Sequence, residues 1–338
     1  MSAAEATLDF LTIGEVLVDF SSTAPGPQGF PQYEALPGGA VANVAVALAR
    51  WGRRSGFLGS VGEDALGRML AATLAQAGVQ CRILTTPRPT SLALVSLAEG
   101  GERGFAFYWE GTASAALDRR LAEPEACAGA RIFHAGSVSL STPASREVTL
   151  AAVRSARQGG AVISFDANLR PALWGQPGLA REPILEAMRL ADIVKLSEEE
   201  LGFLAGPSEG SRSLRRDDPE TRERMLQLRA ATGVELLFVT FGRDGCRWLG
   251  RQGAGSLDSL PVRALDTTGA GDCFMAGILD AYLALNLPVG ALALDDYLAM
   301  ARRGVTAGAL STERRGGIPS IPAAAAVQAR LPVTAPGS

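Results

Sequence analysis

Short apolar runs recur along the chain, and stretches of helical pattern separate them. The runs are DFLTIGEVLVDF (9–20), SGFLGSVG (55–62), RIFHAGSVSL (131–140), AVISFDAN (161–168), ADIVKLS (191–197) and ELLFVTFG (235–242). Several are apolar at consecutive positions, so both faces of such a strand must be covered. Helical stretches fall near 40–51, 64–77, 144–157, 183–190, 198–205, 219–231, 271–285 and 292–311. A chain that alternates in this way is expected to fold as an α/β protein, a doubly wound sheet with helices on both faces. Its 338 residues would allow two domains by length, but α/β folds of this size are commonly one domain with insertions, and one is expected over 1–338.

Two stretches break the alternation. TSLALVSLAEGGERGFAFYWEG (90–111) reads as two strands joined by a Gly-rich turn, with Phe105, Phe107 and Trp109 on one face of the second. Such a strand is half-exposed and antiparallel. Residues 21–37, rich in Pro and Gly, interrupt an early β-α connection. Together they are expected to form a small β lid, from about 16–37 and 89–112, over a site. The polar, charged segment 206–224 reads as a solvated loop running into a helix, and the tail after Leu331 as loose.

The rarest residues exclude the most. Lys195 is the only lysine and His134 the only histidine. A site with several histidines is therefore impossible, and a Ser-His-Asp arrangement would have to use His134. Lys195 lies in VKLSEEE, so no Gly-Lys-Ser/Thr phosphate loop exists. Acid-base chemistry falls to carboxylates, and any phosphate clamp to arginine, backbone N–H groups or a metal. Cys81, Cys127, Cys246 and Cys273 show no metal-binding or disulfide spacing. A net charge of -3 gives no general attraction to nucleic acid or anionic membrane. The first residues carry acids where a signal peptide has a basic region, and no apolar run spans a bilayer. A soluble, reduced, cytoplasmic protein is expected.

The densest chemistry lies in LDTTGAGDCFMAGILDAYLAL (265–285). SLPVRALD before it reads as a strand ending near Asp266. Gly269, Ala270 and Gly271 have almost no side chains, so their N–H groups can face a ligand closely. The helix that follows adds unpaired N–H groups and the positive end of its dipole, a site suited to a phosphoryl group. Asp272 falls in the first helical turn, where its ionised form is favoured. A carboxylate beside a bound phosphate is poor design for binding alone. It suits a base that takes the proton of a hydroxyl undergoing phosphorylation. An N-terminal cap after a glycine turn is the competing reading.

DTTGAGD (266–272) followed by CFMAGIL resembles the C-terminal signature of the ribokinase-type (phosphofructokinase-B) carbohydrate kinases. LPGGAVANVAVALARWG (36–52) and LGSVGEDALGRML (58–70) resemble the N-terminal one. The resemblance implies a ribokinase-like three-layer α/β/α fold. It implies sugar binding at Asp19, Gly38, Gly39 and Asn43. FDANLRPALW (165–174) resembles the Asp-x-Asn-x-Arg-x-x-Leu-Trp run of fructokinase-like members, placing Asn168 at ATP and Arg170 at the transferred phosphate or the substrate. KLSEEEL (195–201) resembles the Asn-x-x-Glu motif, with Ser197 at ATP in place of Asn and Glu200 near magnesium, through water. VTFGRDG (239–245) resembles the nucleotide loop, which implies Thr240, Gly242 and Gly245 against ATP. A monovalent cation, K+, is implied at Asp266 and Thr268, with help from STERRGG (311–317). Asp64 is read only as a helix cap.

FYWEGTASAAL (107–117) departs from the pattern. Trp109 and Ser114 stand where relatives carry Arg and Ala-Asp, which bears on sugar preference. The expected activity is transfer of the γ-phosphoryl of ATP to a sugar hydroxyl, with fructose preferred as acceptor. Competing acceptors are 2-keto-3-deoxygluconate, another ketose, ribose or a nucleoside. A sensor that binds without turnover is the rival from another class. A nicotinamide dehydrogenase is set aside, because IGEVLVDF lacks G-x-G-x-x-G after the first strand. The expected partners are the sugar, ATP and a second copy of the chain, with no nucleic acid and no membrane.

Overall fold

The computed structural model describes residues 8–23, 26–97, 103–206 and 214–331. The turn expected at 98–102, the first part of the charged segment and the tail therefore lie outside the described residues. In chain order the elements are β1 (Leu8–Ile13), β2 (Leu17–Ser22), β3 (Tyr33–Gly38), α1 (Ala40–Arg50), β4 (Ser55–Gly62), α2 (Ala65–Gln76), β5 (Gln80–Thr86), β6 (Leu92–Leu97) and β7 (Arg103–Tyr108). Then come α3 (Pro124–Cys127), β8 (Ala130–Gly136), α4 (Pro143–Gln158), β9 (Val162–Asp166), α5 (Arg181–Met188), β10 (Ile193–Ser197), α6 (Glu198–Ala205) and α7 (Pro219–Thr232). The chain continues through β11 (Leu236–Thr240), β12 (Cys246–Gly250), β13 (Gly253–Leu257), α8 (Ala270–Leu285), α9 (Leu294–Ser311) and α10 (Ala324–Arg330).

Among the described residues, nine strands form the large sheet, in the order β13-β12-β11-β10-β9-β8-β1-β4-β5. Seven run parallel, and β12 and β13 add an antiparallel edge. The strand order turns at β1. From there the chain winds outward through β4 and β5, then returns to the other side of β1 at β8. Open sheets of this kind bind ligands at the carboxyl ends of the strands beside such a reversal.

Successive side chains of a strand point to opposite faces, so each central strand feeds two cores. Phe10, Ile132, Ile193 and Leu236 enter the core under α1, α2, α8 and α9. Their neighbours Leu11, Phe133, Val194 and Leu237 enter the core under α4, α5, α6 and α7. That division explains the unbroken apolar runs. It also explains α1, which is buried from Val41 to Leu48 and so reads as apolar all round. His134 sits inside β8 with Nδ1 2.9 Å from the Ser164 hydroxyl, and burial drives its imidazole down to about 3. It borders none of the cavities of the site described below.

A second sheet of four strands has the order β3-β2-β6-β7. The two strands expected within 90–111 are β6 and β7, paired antiparallel. Trp109 lies just past β7 and is 5% exposed, so it belongs to the interior and not to a half-exposed face. Two other expectations are corrected. The run 9–20 is not one strand but β1 and β2, which belong to different sheets and meet at Gly14–Val16. SLPVRALD is not a strand; the chain has left the sheet at Leu257 and crosses irregularly to α8. The apolar pattern of 9–20 continues across a break in pairing, and SLPVRALD, largely exposed, has no pairing partner among the described residues to make it a strand. Asp64 is the cap of α2, accepting the Gly67 N–H at 2.7 Å.

Candidate active site

Among the described residues, three cavities that share Gly271 open at the carboxyl end of the large sheet. The first, of about 540 Å³, lies between the two sheets and is lined by Asp19, Asn43, Phe107, Trp109, Arg170 and Asp272, among others. The second, of about 850 Å³, runs past Asn168, Ser197, Thr240 and Gly242. The third, of about 430 Å³, continues from Thr240 and Gly245 between the irregular 259–264 segment and α9.

Their junction is the start of α8. Gly269 caps the helix in the left-handed conformation, with φ 79°. The Ala270 N–H turns back to the Thr267 carbonyl at 3.2 Å, so it faces inward more than the sequence suggests. A helix leaves its first N–H groups without intrahelical partners, and here Gly271 and Asp272 follow directly. Asp272 is 7% exposed, and its carboxylate is held from two sides. Asn43 of α1 donates to Oδ2 at 2.7 Å and Asn168 donates to Oδ1 at 2.9 Å. Burial raises the Asp272 carboxyl above its ordinary value; the amides of Asn43 and Asn168 and the charges of Lys195 and Arg170 pull it back. A base needs this balance, ionised yet more basic than a surface aspartate.

The 166–170 loop carries much of this arrangement. Asn168 has φ 35°, a conformation non-glycine residues rarely hold. Its N–H is fixed by Asp166 Oδ1 at 3.2 Å, and the next N–H, that of Leu169, by Glu200 Oε1 at 2.7 Å. Glu200 also accepts the Ser197 N–H at 2.7 Å, while Ser197 Oγ accepts the Glu200 N–H at 3.3 Å. This is a capping box at the start of α6. Both oxygens of Glu200 are thus engaged by backbone. Arg170 borders the first and second cavities, and its charge lowers the carboxyls of Asp19 and Asp272.

The other sequence-expected residues fall as follows. Asp19 on β2 lines the first cavity; burial, with the charges of Asp272 and Asp266, pushes its carboxyl up to about 6 against the pull of Arg170. Gly39 lines it too, and a side chain there would meet the Glu15 carbonyl at 2.6 Å. Gly38 pairs with Leu17 in the small sheet and does not border the cavity. Thr240 donates its hydroxyl to the Leu196 carbonyl at 3.3 Å and borders the second and third cavities. Gly242 borders both as well. Gly245 has φ 93°, and a side chain would collide with the Leu257 carbonyl, so packing alone demands glycine there. Asp266 accepts the N–H groups of Thr268 at 2.8 Å and Gly316 at 3.0 Å, which ties the 266–268 loop to the 311–317 segment. Trp109 donates to Ser141 Oγ at 2.9 Å and lines the sugar-sized first cavity. Ser114 does not; its hydroxyl lies 3.3 Å from the carbonyls of Val16 and Ser60.

Two charged residues that line the first cavity escaped the sequence reading. Lys195 borders the first and second cavities and pairs with Asp166 at 3.1 Å, both side chains almost fully buried. Burial works against the ammonium, but Asp166, Glu200 and Asp272 outweigh it and hold Lys195 charged. Asp166 itself is pushed up by burial against the pull of Lys195. The available signal was a lone lysine inside an apolar strand, which is rare unless paired. Glu15 is the second. It is 1% exposed and lines the first cavity; burial, with the Asp272 charge, pushes its carboxyl up to about 7 against the pull of two N–H groups and Arg170.

The family model for pfkB family carbohydrate kinases matches residues 8–324. The chain belongs to the pfkB family of carbohydrate kinases. A fructokinase of Klebsiella pneumoniae is 37% identical over 312 residues, covering 92% of this chain and 95% of that protein. Among solved structures, a fructokinase of Xylella fastidiosa with bound ATP superposes with a TM-score of 0.85 at 31% identity, covering 95% of this chain and 97% of the other. A fructokinase of Vibrio cholerae O395 in fructose-, ADP- and calcium-bound form superposes with a TM-score of 0.82 at 33% identity, covering 96% and 99%. The family and the geometry agree on a sugar kinase with a ribokinase-like fold.

Proposed function

We infer that this chain transfers the γ-phosphoryl group of ATP to a hydroxyl of fructose. The observation that carries the reading is Asp272. It is a buried carboxylate held by two amides, at the helix start where a sugar-sized cavity meets two further cavities. The sugar occupies the first cavity, with Asp19, Asn43 and Arg170 about its hydroxyls and Phe107 and Trp109 against its carbon face. ATP lies along the second and third, past Ser197, Thr240, Gly242 and Gly245. Its γ-phosphoryl reaches the turn Gly269-Ala270-Gly271 at the start of α8, where the N–H groups of the first helical turn that lack intrahelical partners, that of Gly271 first among them, face charge as it develops. Asp272 takes the proton of the attacking hydroxyl.

Magnesium supplies charge neutralisation on the phosphates when bound. It binds through few carboxylates and keeps several waters, so Glu200, with both oxygens already on backbone N–H groups, fits a water-mediated contact. K+ at Asp266 and Thr268 belongs to the same reading, as do a lid formed by the small sheet that closes against water, a homodimer and a cytoplasmic location.

The test is ADP release from Mg-ATP over fructose, ribose, 2-keto-3-deoxygluconate, glucose and adenosine. Fructose is expected to give the highest kcat/KM. Turnover with another acceptor in its place would move the substrate assignment. Absence of turnover with every acceptor, in folded protein that binds ATP, would replace the kinase with a sensor.

A further inference from the structure

The first cavity holds a carboxyl group for which phosphoryl transfer has no task. Glu15 sits at the junction of β1 and β2, where the chain leaves the large sheet for the small one. Its Oε1 accepts the N–H of Ala40, the first residue of α1, at 2.8 Å. Its Oε2 is buried and has no hydrogen-bond partner among the described residues. Buried polar atoms are normally satisfied, and one left unpaired in the wall of a cavity points to a ligand or an ordered water that completes it. Glu15 lines the same cavity as Asp19, Asn43, Arg170 and Asp272.

The pinned oxygen matters as much as the free one. Because Oε1 accepts the Ala40 N–H of α1, turning the carboxyl would cost that bond, and Oε2 keeps one position in the cavity wall. That helix also carries Asn43, which supports Asp272. A fixed carboxyl oxygen suits a polyhydroxylated ligand, whose hydroxyls can donate or accept.

We propose that Glu15 is a substrate-positioning residue whose free Oε2 binds one hydroxyl of the sugar, and so takes part in choosing which sugar the kinase accepts. The proposal rests on the sugar-kinase reading. Wild-type turnover of fructose checks that reading first and separately.

Glu15→Gln isolates the free oxygen. The glutamine carbonyl still accepts the Ala40 N–H, while an amide donor replaces Oε2. The KM for fructose is expected to rise about tenfold or more, with kcat within about threefold and KM for ATP unchanged. A series of singly deoxygenated fructoses identifies the hydroxyl. The analogue lacking it should bind wild type and variant alike, and the others should keep the penalty. Glu15→Ala removes both contacts and is expected to lower thermal stability as well. An unchanged fructose KM in Glu15→Gln would overturn the proposal, as would an equal rise for every deoxy analogue. Either result would leave Glu15 as an anchor for α1 with a water on Oε2.

Discussion

The cavities that meet at Gly271 are built by different means. The third cavity, at the far end of the proposed nucleotide side, is largely backbone and small residues: the first turn of α8, Gly242, Gly245, and Gly308 and Ala309 of α9, whereas charged side chains such as Glu198, Arg243 and Asp244 line the second. The proposed sugar side is made of side chains, with Glu15 and Asp272 withdrawn from water, Asp19 half-buried beside them, and an aromatic wall of Phe107 and Trp109. Backbone N–H groups hold any phosphate in much the same way. Buried carboxyls are demanding, because each open lone pair has to be met by one particular hydroxyl. On the proposed reading, discrimination between substrates resides on the sugar side, and the chemistry sits on the border.

The sharpest way to break this contrast is at the border. Asp272→Asn keeps the shape of the side chain and removes its basicity. Loss of turnover by roughly a hundredfold or more is expected, with modest change in either KM. The acid limb of the wild-type rate profile should lie above the ordinary aspartate range, since burial raises Asp272. A near-normal rate for Asp272→Asn would remove the base from the mechanism and leave the cradle alone at the junction.

Lys195 tests the border from its other face. Lys195→Met leaves Asp166 buried without its cation, and breaking a buried pair this way destabilises by about 3–5 kcal/mol. Proton uptake by Asp166 moderates the loss, because burial already raises its carboxyl above the ordinary aspartate value. Adding Asp166→Asn should recover much of the stability without restoring turnover, as read by thermal melts and kinetics on both variants. Full recovery of turnover in the double variant would make Lys195 a structural partner of Asp166 only.

The same contrast explains what the sequence could tell. The proposed cradle is contiguous, Asp266 to Asp272, so local residue types were enough to mark it as a candidate, though not to show that the Ala270 N–H turns back to Thr267. The sheet was legible because strands buried on both faces leave unbroken apolar runs. Glu15 and Lys195 were not legible as site residues. Each is one charge inside an apolar strand region, and its meaning depends on which distant loops close over it. Nor could the sequence show that β1 and β2 part company, because DFLTIGEVLVDF stays apolar across the break. Asn168 was expected at ATP; its amide is directed at Asp272, a contact between residues 104 apart in sequence.

Ser197 gives the mildest test and refines the nucleotide side. The sequence reading put it at ATP, and it does border the second cavity, but its hydroxyl caps α6. Ser197→Ala removes that cap, worth about 1 kcal/mol. The bond from the Ser197 N–H to Glu200 is made by backbone and survives the substitution, so the anchoring of Leu169 survives with it. A small fall in melting temperature is expected, about 2–4 °C, with KM for ATP within roughly twofold. A KM rise of about tenfold with unchanged stability would mean that the hydroxyl leaves its cap for the nucleotide. The nucleotide side would then be read by side chains as well, and the contrast with the sugar side would narrow to a difference of degree.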